Sequence, residues 1–227
     1  MRIRSFVIAY ALVLAILLFA DRRPDTSSQN RFTRIVDLTE SADSAGLQKD
    51  SLRATGTPAS GTRIIPPAAL IPGTWAAGQI PPERLIAPLV VVDLIAVPNG
   101  ESRITIDDLA NWESAHGAIP QGAVVAIRSK AAKKADGAAA KQPMPITSDA
   151  AQFLMDARYV LGFTVEADPD LSADRTLARQ IALHGSYVVE GATRLASMPE
   201  TGAMIIVAPA KNKSAAEAPV RLLAMVR

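Results

Sequence analysis

Cysteine is absent from this 227-residue chain, and histidine occurs only twice, as His116 and His184. The first absence excludes disulfides, thiolate metal sites and a cysteine nucleophile. The second makes a zinc site built from several imidazoles hard to assemble. Aromatic side chains are scarce as well: two Trp, three Tyr and five Phe. That weakens any platform for stacking bases or sugars. Charge of one sign is also lacking, since 24 Lys and Arg face 22 Asp and Glu, for a formal net charge of +2. Nucleic-acid binding driven by a concentrated basic surface is therefore not expected. There is no Ser-His-Asp order, phosphate-cradling glycine loop or dinucleotide fingerprint.

Apolar residues are plentiful. They make up 49% of the chain against 20% charged, which fits one ordinary domain with a sizeable core rather than a disordered tail. The chain opens with Arg2 and Arg4 and then runs apolar from Phe6 to Ala20, up to Asp21-Arg22-Arg23-Pro24. A short positive stretch before about fifteen apolar residues has the form of an export signal. As a helix it falls short of the roughly 30 Å hydrocarbon core. Cleavage after Ala20 would place Leu18 at a position that prefers a small residue, so a retained anchor stands beside a cleaved signal. Residues 1–24 are read as signal peptide or membrane anchor, 25–31 as a linker and 32–227 as the folded domain. The expected location is the bacterial periplasm or the inner membrane.

Short strand patterns fall on Phe32–Leu38, Leu85–Val97, Ala123–Ile127, Leu161–Val165, Tyr187–Glu190, Met204–Ala208 and Val220–Met225. In Leu85–Val97 the continuous apolar run with Leu89, Val90, Val91, Val92 and Ile95 is rich in β-branched residues, which predicts a fully buried strand. Thr105 with Asp108 reads as a helix N-terminus, with Ile106, Leu109 and Trp112 following and a stop near Gly117. Ser148 is read as the cap of a second helix, with Phe153, Leu154 and Ala157 inward. Thr176–His184 is read as a third. Glu40–Pro72 is dense in Pro and Gly and is expected to be loop. Residues 130–145, with Lys130, Lys133, Lys134 and Lys141 among alanines, are read as a mobile, solvated loop. Strands and helices alternate irregularly, which predicts one α/β or α+β domain.

Three stretches together resemble the metal-dependent cyclase family that includes bacterial kynurenine formamidases. The first is Val36-Asp37-Leu38-Thr39. The second runs from Gly61-Thr62-Arg63-Ile64-Ile65-Pro66-Pro67-Ala68-Ala69-Leu70 through Gln79-Ile80-Pro81 and Glu83-Arg84-Leu85-Ile86 to Val90-Val91-Val92-Asp93. The third comprises Ile104-Thr105, Asp108-Leu109, Trp112, Ile119-Pro120-Gln121-Gly122, Val188-Val189-Glu190, Leu195, Met198-Pro199 and Val220-Arg221-Leu222-Leu223-Ala224. The resemblance implies an α/β fold of the swivelling β/β/α type, with a mixed sheet in a single domain, commonly assembled into homo-oligomers. It also implies one or two divalent ions, zinc or manganese, and hydrolysis of small amides.

The family signature, His-x-Gly-Thr-His-x-Asp-x-Pro-x-His with a later His and a Glu twelve residues beyond it, is hollowed out here. Gly61, Thr62 and Pro67 remain. The ligand positions fall on Ala59, Arg63, Ile65, Ala69 and Ala178, and Glu190 alone survives. The His that often follows the Asp-Leu-Thr strand falls on Glu40. Arg63 would set a permanent cation where a dication belongs, and Ile65 has no lone pair to offer. No cofactor and no family hydrolysis are therefore expected. The chain reads as a catalytically inactive envelope module for binding or interaction.

An Arg63–Glu190 pair could replace the metal electrostatically, or leave a pocket for a small anionic ligand. The alternative is an active hydrolase of N-formylkynurenine or a similar small amide. Its rebuilt site would need His184, Glu190 and the acidic loop Glu166, Asp168 and Asp170 to converge. Otherwise both histidines read as helix-terminal partners of the last carbonyls, and the acidic loop as solvated.

Overall fold

The structure is a computed structural model that describes residues 32–40, 61–94, 103–128, 144–166, 169, 171, 174–211, 213 and 217–227. All of these lie within one compact unit, Phe32–Arg227. The stretches read as export signal or anchor and as linker, Ala59, Asp168, Asp170 and most of residues 130–145 lie outside the described residues. Among the described residues, no helix is long and apolar enough to cross a membrane.

Eight strands form one mixed sheet: β1 (Arg34–Asp37), β2 (Arg63–Ile65), β3 (Ile86–Asp93), β4 (Val124–Arg128), β5 (Gly162–Val165), β6 (Tyr187–Glu190), β7 (Ala203–Pro209) and β8 (Ala218–Val226). Their order is β1-β8-β2-β6-β5-β4-β3-β7, and β7 also pairs with β8. The last pairing closes seven strands into a barrel and leaves β1 as a flap on β8. β3, β4, β5 and β6 run parallel, while β2, β7 and β8 join by antiparallel ladders.

Successive strand residues point to opposite faces, and the core divides accordingly. Ile64, Leu89, Val91, Val124, Ala126, Tyr187, Val189, Ile205 and Leu222 belong to one buried cluster inside the barrel. Ile65, Val90, Val92, Val125, Ile127, Phe163 and Val188 belong to a second. Helices cover this outer layer with Leu109, Trp112, Leu154, Met155, Leu177 and Ile181. Burial on both faces is the reason these strands read as unbroken apolar runs.

Among the described residues, four α-helices accompany the barrel. The single turn α1 (Pro67–Leu70) starts on proline, whose missing N–H is no loss at a first helical position. In α2 (Ile106–His116), Thr105 accepts from the Asp108 amide and the Asp108 carboxylate accepts from the Thr105 amide at 2.8 Å, a reciprocal cap. The cap of α3 (Ser148–Arg158) is Thr147 rather than Ser148, because the Thr147 hydroxyl accepts from the Ala150 amide. Its buried residues are Ala150, Ala151, Leu154 and Met155, with Phe153 partly buried against the same cluster, so of the expected Phe153, Leu154 and Ala157 the first two pack inward and Ala157 is half-buried. In α4 (Arg175–Leu183), Asp174 accepts from the Leu177 amide at 3.0 Å.

One expectation is corrected with consequence for the site. The Pro- and Gly-dense stretch read as loop contains both β2 and α1. Three strand residues carry too little periodic signal to stand out. At the end of the 130–145 segment, Met144 is buried and the Pro145 carbonyl accepts from the Ile104 amide at 3.0 Å, so these two residues belong to the packed domain.

Candidate functional site

β2 lies between β6 and β8. Its register against β6 sets Arg63 opposite Glu190, Ile64 opposite Val189 and Ile65 opposite Val188. Residues directly opposite in an antiparallel pair share a face. Arg63, Ile65, Val188 and Glu190 therefore all face the outer layer, and Ile65 and Val188 belong to its apolar cluster. Helices α1 and α4 pack against each other on this side.

The polar contacts are dense. Arg63 Nε donates to Glu190 Oε1 at 2.6 Å, and Arg63 Nη2 donates to the same oxygen. Glu217 Oε2 stands 3.7 Å from Arg63 Nε. The side chains are 12% exposed for Arg63, 3% for Glu190 and 32% for Glu217. Thr62 secures the approach to β2. Its hydroxyl donates to the Gly191 carbonyl at 2.7 Å and accepts from the Glu40 amide at 2.6 Å. Gly191 has φ +66°, and a Cβ there would lie 2.8 Å from the Gly61 carbonyl oxygen, so this crossing needs glycine.

Of the six pocket positions, Arg63 and Glu190 meet directly. Ile65 is buried two residues along the same face of β2. Ala69 is exposed on α1, and Ala178 is half-buried on α4 against the outer cluster. Ala59 lies outside the described residues. Glu40 is placed beside the site by its backbone, and its side chain is exposed.

The other sequence candidates divide. Glu166 follows β5, whose register pairs Thr164 with Val189, so it lies at the same end of the sheet as Glu190. His184 does not, because it precedes β6 at the opposite end. At ~3.3 Å per residue, Tyr187–Glu190 alone spans about 10 Å. His184 Nδ1 is 2.9 Å from the Gln180 carbonyl and its Nε2 is 2.7 Å from Asp156 Oδ1. His116 Nδ1 is 3.0 Å from the Trp112 carbonyl, and its ring stacks on Trp112 at 4.6 Å. Both histidines serve the carbonyls of their own helix ends.

Among the described residues, no three His, Cys, Asp or Glu side chains are placed to hold a metal ion. The chemistry of the positions decides the fit. A guanidinium is an obligate donor with no lone pair, and it sits on the one carboxylate of the set. Isoleucine and alanine offer no ligand atom. This set does not fit the divalent ion that the fold family implies.

Sequence reasoning missed the roles of four charged residues near strand ends, and of these Glu217 stands beside Arg63. Glu217 stands just before β8, where no motif marks it. Arg128 and Asp93 face each other at the carboxyl ends of β4 and β3, 2.9 Å apart, with Glu200 3.6 Å from the same guanidinium. Each ends a strand that reads as purely apolar.

The comparisons agree with this architecture. A family model described as "Putative cyclase" matches residues 21–169, more than half of the chain. An isatin hydrolase of Roseibium aggregatum is 28% identical over 165 residues, which cover 63% of this chain and 61% of that protein's length. The match thus spans about three fifths of that relative. Isatin hydrolase A from Labrenzia aggregata, solved with benzyl benzoate, superposes with a TM-score of 0.68 at 26% identity, covering 85% of this chain and 93% of that one. Isatin hydrolase A from Ralstonia solanacearum gives 0.68 at 26% identity, covering 96% and 97%. With the family model matched over most of its length and the barrel found again in these hydrolases, this chain belongs to the cyclase family.

Proposed function

We propose that this chain is a cyclase-fold protein of the bacterial envelope that binds or interacts rather than hydrolyses. The observation that carries this reading is the Arg63–Glu190 pair, which engages the carboxylate position of the family's metal constellation with a cation from the chain itself. Ile65, packed into the outer core, and Ala178 beside it supply no ligand in compensation. The reading includes retention in the periplasm or at the inner membrane through Phe6–Ala20, and self-assembly into a homo-oligomer. A small anionic ligand would have to compete with Glu190 and Glu217 for Arg63, and the near-balanced charge of the chain gives no reason to expect a nucleic-acid partner.

Metal analysis of the purified protein tests this directly. The expected result is no stoichiometric zinc or manganese and no turnover of N-formylkynurenine or isatin. Bound metal at one equivalent, lost in Glu190→Gln together with amide hydrolysis, would sink the reading.

A second reading is favoured by the relatives, which are isatin hydrolases at 26–28% identity. On it the chain hydrolyses a small amide such as N-formylkynurenine or isatin with a rebuilt site. Glu166 and Glu190 share one end of the sheet, which supports it. The position of His184 beyond the far end of β6 weighs against it. Ring opening of isatin by the full chain after exhaustive chelation, abolished in Glu166→Gln, would establish this second reading over the first.

A further inference from the structure

We infer that the Arg63 guanidinium is the resident cation of this centre, held by Glu190 and Glu217, and that it secures the barrel where strand pairing is thinnest. The inference rests on the reading that the family metal is not used here, and it adds what takes the metal's structural place.

The thin seam of the barrel runs through β6, β2 and β8. Only three residues of β2 bridge it, with three registered positions against β6 and two against β8. Arg63 belongs to both ladders, standing opposite Glu190 on one side and Pro219 on the other. Arg63 and Pro219 form a non-hydrogen-bonded pair, so the missing proline amide costs this ladder nothing and the pair is held by the bonds that flank it. One of these runs from the Val220 amide to the Thr62 carbonyl at 3.1 Å.

Side chains reinforce the thin place. One guanidinium takes a carboxylate from β6 and approaches a second carboxylate at the entrance to β8. A metal bound between strands would tie them by the same electrostatic logic. The difference is that this cation is covalently part of β2, so the centre is filled whenever the chain is folded. Glu190, 3% exposed beside Val188 and Ile65, makes the arrangement obligatory, because a buried carboxylate without its cation is strongly unfavourable.

The test is a double-mutant cycle on the purified full-length chain, with Arg63→Met, Glu190→Gln and both together, measured by equilibrium denaturation with and without chelator. Each single variant is expected to lower the folded-to-unfolded ratio by about a hundredfold or more, while the double variant recovers most of that loss. Losses in the double variant equal to the product of the single losses overturn the inference, as does an Arg63→Met protein as stable as the parent. If Arg63→Met does not fold, a folded double variant still supports the pairing and an unfolded one overturns it. Glu217→Gln is expected to cost less than either buried substitution, and a cost equal to that of Glu190→Gln overturns the assigned hierarchy. Chelator is expected to leave the parent protein unchanged. Destabilisation by chelator would instead defeat the metal-independent reading itself, whatever the cycle gives.

Discussion

Among the described residues, two pairs of opposite charge face each other across neighbouring barrel strands, and they are built alike. Arg63 and Glu190 face each other across β2 and β6, and Asp93 and Arg128 across β3 and β4. Each guanidinium donates through Nε and Nη2 to one carboxylate oxygen. They differ in surroundings. Glu190 is 3% exposed and Asp93 is 27% exposed. The ladder beside Asp93 registers five positions, while that beside Glu190 registers three. Identical chemistry thus has different structural weight, because desolvation of the carboxylate and the length of the adjoining ladder set what the pair must supply.

The largest effect that separates the two is truncation of the carboxylate. Glu190→Ala removes the buried carboxylate, leaves Arg63 with the more distant Glu217 and opens a void beside Ile65 and Val188, and is expected to cost about 3–5 kcal/mol. Asp93→Ala leaves Arg128 near Glu200 and water, and is expected to cost about 1 kcal/mol or less. Urea denaturation of both variants measures the difference. Equal costs would break the comparison and leave burial without explanatory force.

A second expectation concerns the far end of β6. Gly162 stands opposite Tyr187, and a Cβ there would lie 2.6 Å from two ring carbons and 2.7 Å from the Tyr187 carbonyl oxygen. The Tyr187 ring has little room to yield, since it is fully buried and its hydroxyl donates to the Arg84 carbonyl at 2.8 Å. Gly162→Ala is expected to cost about 1–3 kcal/mol through overpacking, seen as a lowered Tm. This end of β6 is held by shape where the Glu190 end is held by charge, so the Gly162→Ala loss should not respond to salt.

The strands legible in the sequence include those buried on both faces and also β7 and β8, whose buried residues alternate with more exposed ones. Tyr187–Glu190 carries four consecutive buried residues, and its apolar run marks it without help from a motif. The Thr105–Asp108 cap was legible because its chemistry is local. β2 was not, because three residues between glycine- and proline-rich flanks take their strand geometry from β6 and β8 rather than from their own pattern. The site followed the same division. Arg63 and Glu190 could be paired through the family frame, and the structure joins them. Glu217 could not, since its approach to Arg63 depends on where β8 begins. The Arg128–Asp93 pair was hidden because strand ends carry no periodic signal.

Between α2 and α3 a third ion pair gives a milder, pH-dependent contrast. Arg158 Nε and Nη2 reach the two Glu113 oxygens at 2.7 and 2.8 Å, and Glu113 also accepts from the Ile119 amide at 2.9 Å. The hydrogen bonds from Arg158 hold the Glu113 carboxyl below its ordinary value of 4.5, with burial opposing. Because the folded value lies below the unfolded one, the unfolded chain binds more protons in that interval. The contribution is fully present above about pH 4.5 and is lost as pH falls through the folded value. Glu113→Gln is expected to cost about 1 kcal/mol at neutral pH and to flatten the acid limb of Tm against pH. An unchanged acid limb would remove Glu113 from the groups that set it.

The smallest expected effect completes the series and limits its logic at the exposed extreme. Arg221 Nη2 lies 2.7 Å from Asp37 Oδ2, as short as the bonds between Arg158 and Glu113, yet the side chains are 63% and 38% exposed. Asp37 is held below its ordinary value first by the Thr39 hydroxyl, and only afterwards by Arg221. Water already solvates both charges, and ordering the long arginine costs side-chain entropy. Arg221→Ala is therefore expected to change stability by no more than a few tenths of a kcal/mol, with the β1–β8 ladder intact, since Arg34–Val226 through Asp37–Leu223 pair by backbone. If this variant lost as much stability as Glu190→Ala, distance rather than desolvation would govern these pairs, and the contrast between the Glu190 and Asp93 seams would need a different cause.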